Sequence, residues 1–240
     1  AGDPQDTLEQ LTTDSNGMTE EIDLAAPPRS YSEYPLSDVQ PYSEYNLIIT
    51  APGYEPTTIS GSEIFSGELS IQPVRLNPVL PNASASVITI PANTLWGVFP
   101  PKIPEDEIKP VRSSGEIVLS RVVIPEYIVV HDGVPSDSSA TDYYVRYADY
   151  IKNVASSEIY STWPEATLRA NITAIMSFTL NRVYTEWYRN KGYDFTITTS
   201  TAYDHKWIYG RNIFDSISRI VDEIFANYVS RPNVKQPILT

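Results

Sequence analysis

The sequence predicts an α+β protein: an N-terminal small β-sandwich followed by a mainly helical domain with a few strands. Three observations carry that reading. Short β-prone runs broken by Gly and Pro fill residues 1–80. Proline then recurs at 78, 81, 91, 100, 101, 104 and 110, a density that forbids regular helix and favours extended chain. From about Thr141 the apolar residues change from a period of two to one of 3.6. The expected layout is a sandwich over 1–80, a proline-rich linker and entry segment over 81–115, and a third unit over 116–240. The first and third units are expected to pack separately.

The β elements come first. Asp14-Ser15-Asn16-Gly17 is a turn signal between the runs Leu8–Thr12 and Met18–Leu24. Ala26-Pro27-Pro28 opens a loop rich in Pro and Tyr that runs to about Tyr42. Asn46–Thr50 reads as a strand stopped by Ala51-Pro52-Gly53-Tyr54, with further strands at Thr57–Ser60 and Glu68–Leu76. Strands at this spacing, broken by Gly and Pro, suggest a sandwich. Val87–Ile90, Glu116–Val123 and Tyr127–His131 are further strand candidates, the last ending at Asp132-Gly133.

The helical elements follow. Tyr147, Ile151 and Val154 fall at helical spacing, and Glu158 continues that face. Trp163-Pro164 starts a second helix, with Pro in the first turn and Ser161 or Thr162 as cap. Its apolar stripe runs from Leu168 through Ile172, Met176, Leu180 and Val183 to Trp187, and Lys191-Gly192 ends it. Asp194–Thr198 alternates like a strand. Asn212–Tyr228 reads as a last amphipathic helix, with Ile213, Phe214, Ile217, Ile220, Val221, Ile224 and Phe225 inward.

Composition excludes several functions. The net charge of −13, with 17 Lys and Arg, argues against nucleic acid or an anionic membrane as partner. No run is long and apolar enough to span a bilayer. With no Cys and only His131 and His205, neither a thiolate nor a histidine metal site is expected, and no cofactor is called for. Ala1-Gly2-Asp3-Pro4 reads as the interior of a longer protein. The 17 tyrosines suit sugar-binding surfaces as well as they suit strand and helix faces.

Glu158 is the residue with chemistry in prospect. A carboxylate at a helix C-terminus meets the negative end of the helix dipole, and partial burial raises its pKa further. Both keep it protonated, as a general acid must be. From spacing alone, a surface glutamate on a frayed last turn is the more economical reading. His131-Asp132 and Asp204-His205 read as turn chemistry, and Ser156-Ser157 lacks the glycine elbow of a hydrolase nucleophile.

Resemblance changes that balance. The string Tyr150-Ile151-Lys152-Asn153-Val154-Ala155-Ser156-Ser157-Glu158, followed by Ile159-Tyr160-Ser161-Thr162-Trp163-Pro164-Glu165, resembles the core motif of the sporulation stage II protein D family. Ile124–His131, Phe178–Arg189, Gly192-Tyr193-Asp194-Phe195 and Gly210–Phe214 resemble its spore cortex-lytic transglycosylase branch, over about residues 117–230. Thr12–Gly17, Leu47–Tyr54 and Pro73–Leu76 resemble a carboxypeptidase regulatory-like (transthyretin-like) domain. The chain departs from the wider family in carrying Asn171 where Gln is usual and Met176-Ser177-Phe178 where Arg-Thr-Tyr is usual. It also lacks the cysteines of the members that hold zinc.

The resemblance implies a lytic transglycosylase that cuts between N-acetylmuramic acid and N-acetylglucosamine and leaves a 1,6-anhydro-muramoyl end. Glu158 takes the catalytic position. Ser157, Tyr160, Ser177, Tyr203 and Asp204 are the expected substrate contacts, with Tyr160 and Tyr203 as stacking rings. The expected partner is the peptidoglycan glycan strand, and an activating protease or wall protein is a further one. The expected location is extracytoplasmic, in spore cortex, coat or cell wall. Such domains continue past the position of Thr240, so a C-terminally truncated lytic domain is expected. The alternative is a wall- or spore-associated binding or structural protein, or an amidase activator, that keeps the fold without turnover.

Overall fold

The computed structural model describes residues 7–34, 37–81, 85–93, 95, 99–108, 119–225 and 227–239. In chain order the elements are α1 (Ser30–Glu33), β1 (Tyr42–Ile49), β2 (Thr57–Phe65), β3 (Ser70–Ile71), β4 (Ser86–Thr89), β5 (Tyr127–His131) and β6 (Asp142–Arg146). They continue with α2 (Tyr147–Glu158), α3 (Glu165–Tyr184), β7 (Ile197–Thr198), β8 (Ile213–Phe214) and α4 (Asp215–Ile224). The class is α+β.

β1 and β2 pair antiparallel, and β4 joins β2 in parallel. β1 alternates between half-buried and exposed positions from Ser43 to Ile49, as a strand with one wet face must. A bulge between Tyr45 and Leu47 lets the exposed Asn46 amide reach the partner strand, where its Oδ1 accepts from Ser60 Oγ and Gly61 N. Gly61 is required there: its φ is +86°, and a Cβ would stand 2.4 Å from the Ile90 carbonyl oxygen.

The Asp14–Gly17 turn forms, closed by Asp14 N–H to Met18 O at 2.7 Å and by the Asp14 carboxylate accepting from Asn16 N and Met18 N. Its flanks are exposed and form no strand, because no sheet edge lies beside them. Only Ser70–Ile71 of the run Glu68–Leu76 is strand. Residues 116–118 of the Glu116–Val123 candidate lie outside the described residues, and 119–123 form no strand. Among the described residues the expected sandwich is therefore one three-stranded layer.

That layer packs on the helical part and does not form a unit of its own. Phe65, at the end of β2, sits 5.2 Å from the Phe214 ring, 5.4 Å from Tyr160 and 5.2 Å from Tyr42. All four rings belong to one buried cluster with α2, α3 and α4. β3 pairs with β8 across the whole sequence between them. Glu63 and Arg211 form a wholly buried ion pair, and the Asn212 amide bonds Glu63 N, Glu63 O and Ser70 Oγ. The expectation of two separately packed units is corrected at the end of β2: Phe65 has no second sheet to cover it among the described residues and packs into the cluster built by the helices instead.

α2 buries Tyr147, Tyr150, Ile151 and Val154, the face its spacing predicts. α3 is the central rod, buried on all sides from Ile175 to Arg182. It starts after Pro164 without a side-chain cap, since the Thr162 hydroxyl is engaged with Ser32 Oγ in α1. It stops at Tyr184 instead of running to Lys191, because Glu186 takes a left-handed conformation (φ 49°) and the chain reverses into the 3₁₀ turn Arg189–Lys191. α4 starts later than expected because Ile213 and Phe214 are strand residues. Phe225 lies past its end and is exposed, not inward. β5 is central in a small sheet, antiparallel to β6 and parallel to β7.

A single core makes two outcomes measurable. Calorimetric melting should give one transition, and two resolved transitions would restore the separate units. Phe65→Ala should cost about 3–5 kcal/mol of global stability, the usual cost of truncating a buried aromatic ring, read from denaturant midpoints.

Candidate active site

Glu158 is the last residue of α2. Ile159 leaves the helix in an extended conformation while its N–H still bonds Ala155 O. The three buried residues before it on the same face fix the helix against α3, so the Glu158 side chain leaves the bundle at a set point. Glu158 is partly exposed, and its Oε1 accepts the Lys206 backbone N–H at 2.7 Å. Withdrawal of the carboxyl from water pushes its pKa up to about 7, against the opposing pull of that N–H and of the Lys102 and Lys206 ammonium groups.

Lys206 lies on the segment 199–210, which the molecule holds rigidly. Asp204 is buried and accepts from Arg182 Nε at 2.6 Å, Tyr188 OH at 2.6 Å, Thr198 N at 2.9 Å and Thr198 Oγ1 at 2.7 Å. The Asn153 amide, one turn before the end of α2, brackets Ile208 by donating to its carbonyl at 2.8 Å and accepting its N–H at 3.0 Å. Glu158 and Asn153 thus act as two rungs that lay this segment along α2. His205, just before the first rung, is buried beside Phe178, with ring centres 4.5 Å apart. Burial and the neighbouring Lys102 and Arg182 charges hold its pKa well below the ordinary value, so it is neutral.

The expected linker contributes to the site. Lys102 Nζ donates to Asp204 O, and Ile103 N–H bonds Ala202 O at 2.7 Å. Glu105 receives both terminal nitrogens of Arg182, at 2.6 and 2.8 Å. Glu107 pairs with Arg231. The stretch 99–108 is an ion-paired strap over α3, and it brings the Lys102 charge to Glu158. Desolvation lowers the Lys102 pKa, with the Glu158 and Asp204 charges pulling it back up.

The expected substrate contacts separate. Tyr203 is half-buried beside this segment, with its carbonyl taken by Arg182 NH2. Ser157 is buried with its hydroxyl on Asn153 O, and Ser177 is buried between Thr173 O and Val229 N–H. Tyr160 is a core ring against Phe65 and Trp163. Asp204 is saturated by Arg182, Tyr188 and Thr198. These four are corrected to structural roles: each has spent its polar atoms on the protein or lies in the core. His131 pairs with Asp142 at 2.7 Å, while Asp132 bonds Thr199, so His131-Asp132 is no acid–base pair. Sequence reasoning missed Lys102, Asn153 and Lys206, since a linker lysine and a helix asparagine carry no pattern that marks them.

Set against family models, curated proteins and solved structures, the chain matches none. Among the described residues, no cluster of His, Cys, Asp and Glu could hold a metal ion, and no helix is long and apolar enough to cross a membrane. A cavity of about 210 Å³ lies beside Trp187, Tyr127 and Phe195 and does not include Glu158.

Arg182→Met strands Asp204 and Glu105 without their cation. Breaking one side of a buried ion pair should cost about 3–5 kcal/mol, measured by chemical denaturation. Glu158 has a testable stability signature too. Its carboxyl titrates near 7 in the folded chain and near 4.5 when exposed. Between those values the unfolded chain has lost the proton that the folded chain keeps, so stability falls as pH rises through the window. Glu158→Gln removes this dependence. The melting temperature of the variant relative to wild type should therefore climb from about pH 4.5 to about pH 7, and a flat difference would contradict the raised pKa.

Proposed function

We propose that the chain is the glycan-cleaving part of a peptidoglycan lytic transglycosylase, with Glu158 as its single acid–base group, acting in spore cortex or cell-wall remodelling. The observation that carries the reading is the Glu158 carboxyl itself. It is partly exposed at a helix end and is held near neutrality, and the charges acting on it are two ammonium groups, not a second carboxylate. The resemblance of Tyr150–Glu165 to the sporulation stage II protein D motif supports it.

A protonated Glu158 donates to the glycosidic oxygen as the bond from C1 of the muramoyl ring to that oxygen breaks. The resulting carboxylate accepts the proton of the C6 hydroxyl, whose oxygen bonds C1 and closes the anhydro ring. Glu158 ends protonated, so the cycle balances without water. A glycosidase that hydrolyses needs two carboxyl groups, one to protonate and one to act as nucleophile or to activate water; internal attack by C6 dispenses with the second. Lys102 and Lys206 stabilise the anion between the two transfers, and the Lys206 N–H fixes its orientation.

A binding protein of the wall is the second reading, favoured by a cavity of about 210 Å³ that lies away from Glu158. Digestion of purified peptidoglycan by the full-length protein decides between them, with mass spectrometry of the products. Anhydro-muramoyl ends should appear, and Glu158→Gln should lower their rate by about 10²–10⁴-fold with binding retained. Because Glu158 must start protonated, kcat/KM should fall above about pH 7. Binding without release by the wild type would establish the second reading.

A further inference from the structure

The segment that carries Lys206 also carries two aromatic residues that the scheme above does not use. The N–H groups of Lys206 and Ile208 are both turned to α2, and the Trp207 and Tyr209 rings lie together, with centres 6.3 Å apart. There they meet Tyr143 of β6. The Tyr143 and Tyr209 rings stack with centres 4.8 Å apart and planes at 25°, and Tyr143 lies 5.3 Å from Trp207. Trp207 is buried beneath, whereas Tyr209 is 44% exposed and Tyr143 half-buried.

We propose that Tyr143, Trp207 and Tyr209 form a stacking platform for a sugar ring of an N-acetylhexosamine strand whose next units reach Glu158. The proposal rests on the reading of the chain as a glycan-strand protein. Two features select a saccharide as occupant. Tyr209 offers an exposed ring face, with Tyr143 stacked behind it and Trp207 buried beneath, and exposed Asp132 and Thr141 stand at the edge of Tyr143, a combination that suits a ring with apolar C–H faces and a polar rim. The platform is continuous with the candidate site through Lys206, and three residues of chain span at most about 11 Å.

The face is also preorganised. Asn153 brackets Ile208. Gly210, at φ +71°, lies so close to Ile88 that a Cβ would stand 2.8 Å from its Cγ2, and Gln72 Nε2 donates to Gly210 O at 2.7 Å. Tyr209 is thereby held between two anchored residues, so stacking a sugar orders little further chain. Tyr144, the next residue on β6, points to the opposite face and is 75% exposed. It is an internal control of the same residue type.

The test uses the full-length protein, a soluble linear oligomer of N-acetylglucosamine and peptide-stripped glycan strands. Tyr209→Ala should weaken binding of both by roughly 2- to 10-fold and raise KM with kcat little changed; Tyr209→Phe, which keeps the ring, should lose less than Tyr209→Ala, and Tyr144→Ala should bind as wild type. Adding the oligomer to the wild type should also shift the aromatic proton resonances of Tyr209 and Tyr143, a readout that does not depend on a variant folding. Unchanged binding in folded Tyr209→Ala, an equal loss in Tyr144→Ala, or no binding and no resonance shift in the wild type overturns the platform. The failures separate. Binding through Tyr209 without anhydro products sinks the enzymatic reading and leaves the platform, and release that ignores Tyr209 does the reverse.

Discussion

The Asp204 carboxylate is the constraint on which the rest of the site depends. It is removed from water, and a buried carboxylate is tolerable only when each oxygen is paired. Arg182 reaches it from the central helix, Tyr188 from the turn after that helix, and Thr198 from β7. Satisfying one charge thus ties three elements to one point. Arg182 keeps nitrogens free for Glu105, so the same guanidinium draws the strap 99–108 onto the helix. Both groups that adjust Glu158, Lys102 on the strap and the Lys206 N–H on the loop, are placed by this pairing. A neutral residue at 204 would leave Arg182 with Glu105 alone and remove the point at which helix, turn and β7 meet.

Glu158 is governed by opposed effects, of which desolvation is the larger. Desolvation raises its pKa, and the Lys206 N–H with the two ammonium groups lowers it. With burial alone the carboxyl would hold its proton and be a poor base; with the cations alone it would be ionised and a poor acid. The balance near 7 suits one residue that works in both directions. The same balance weakens the fold above that pH, a cost expected of functional groups held in the form that chemistry needs.

Much of the framework was legible in the sequence, because periodicity reports which face is buried. The spacing of Tyr147, Ile151 and Val154 placed α2 and put Glu158 at its end, and Tyr127–His131 emerged as β5 with the same bounds. What failed were inferences that need a partner distant in sequence. Ile213 and Phe214 have helical spacing with α4 yet pair with Ser70 and Ile71. Proline density marked 81–115 as connecting chain, but Glu105 and Glu107 have arginine partners at 182 and 231 that no local pattern announces. Tyr160 looked like a sugar platform for its residue type, and Phe65 claims its face. The rings at 143, 207 and 209 were overlooked for the same reason, since they become neighbours only when the loop is laid along α2.

The sheet bears on the chemistry through the Glu63–Arg211 pair. Arg211 follows the loop that carries Lys206 and Tyr209, and its wholly buried guanidinium is anchored on β2. Glu63 also accepts the Asn93 N–H, and the Lys206 ammonium reaches the Ala92 carbonyl next to it. The far end of the loop is therefore fixed by the N-terminal sheet, as its near end is fixed by Asp204. A loop clamped at one end would let Lys206 drift from Glu158 and would return the carboxyl to solvent, where its pKa would fall toward the ordinary value. The β layer thus holds, through Arg211, one end of the loop whose Lys206 N–H meets Glu158.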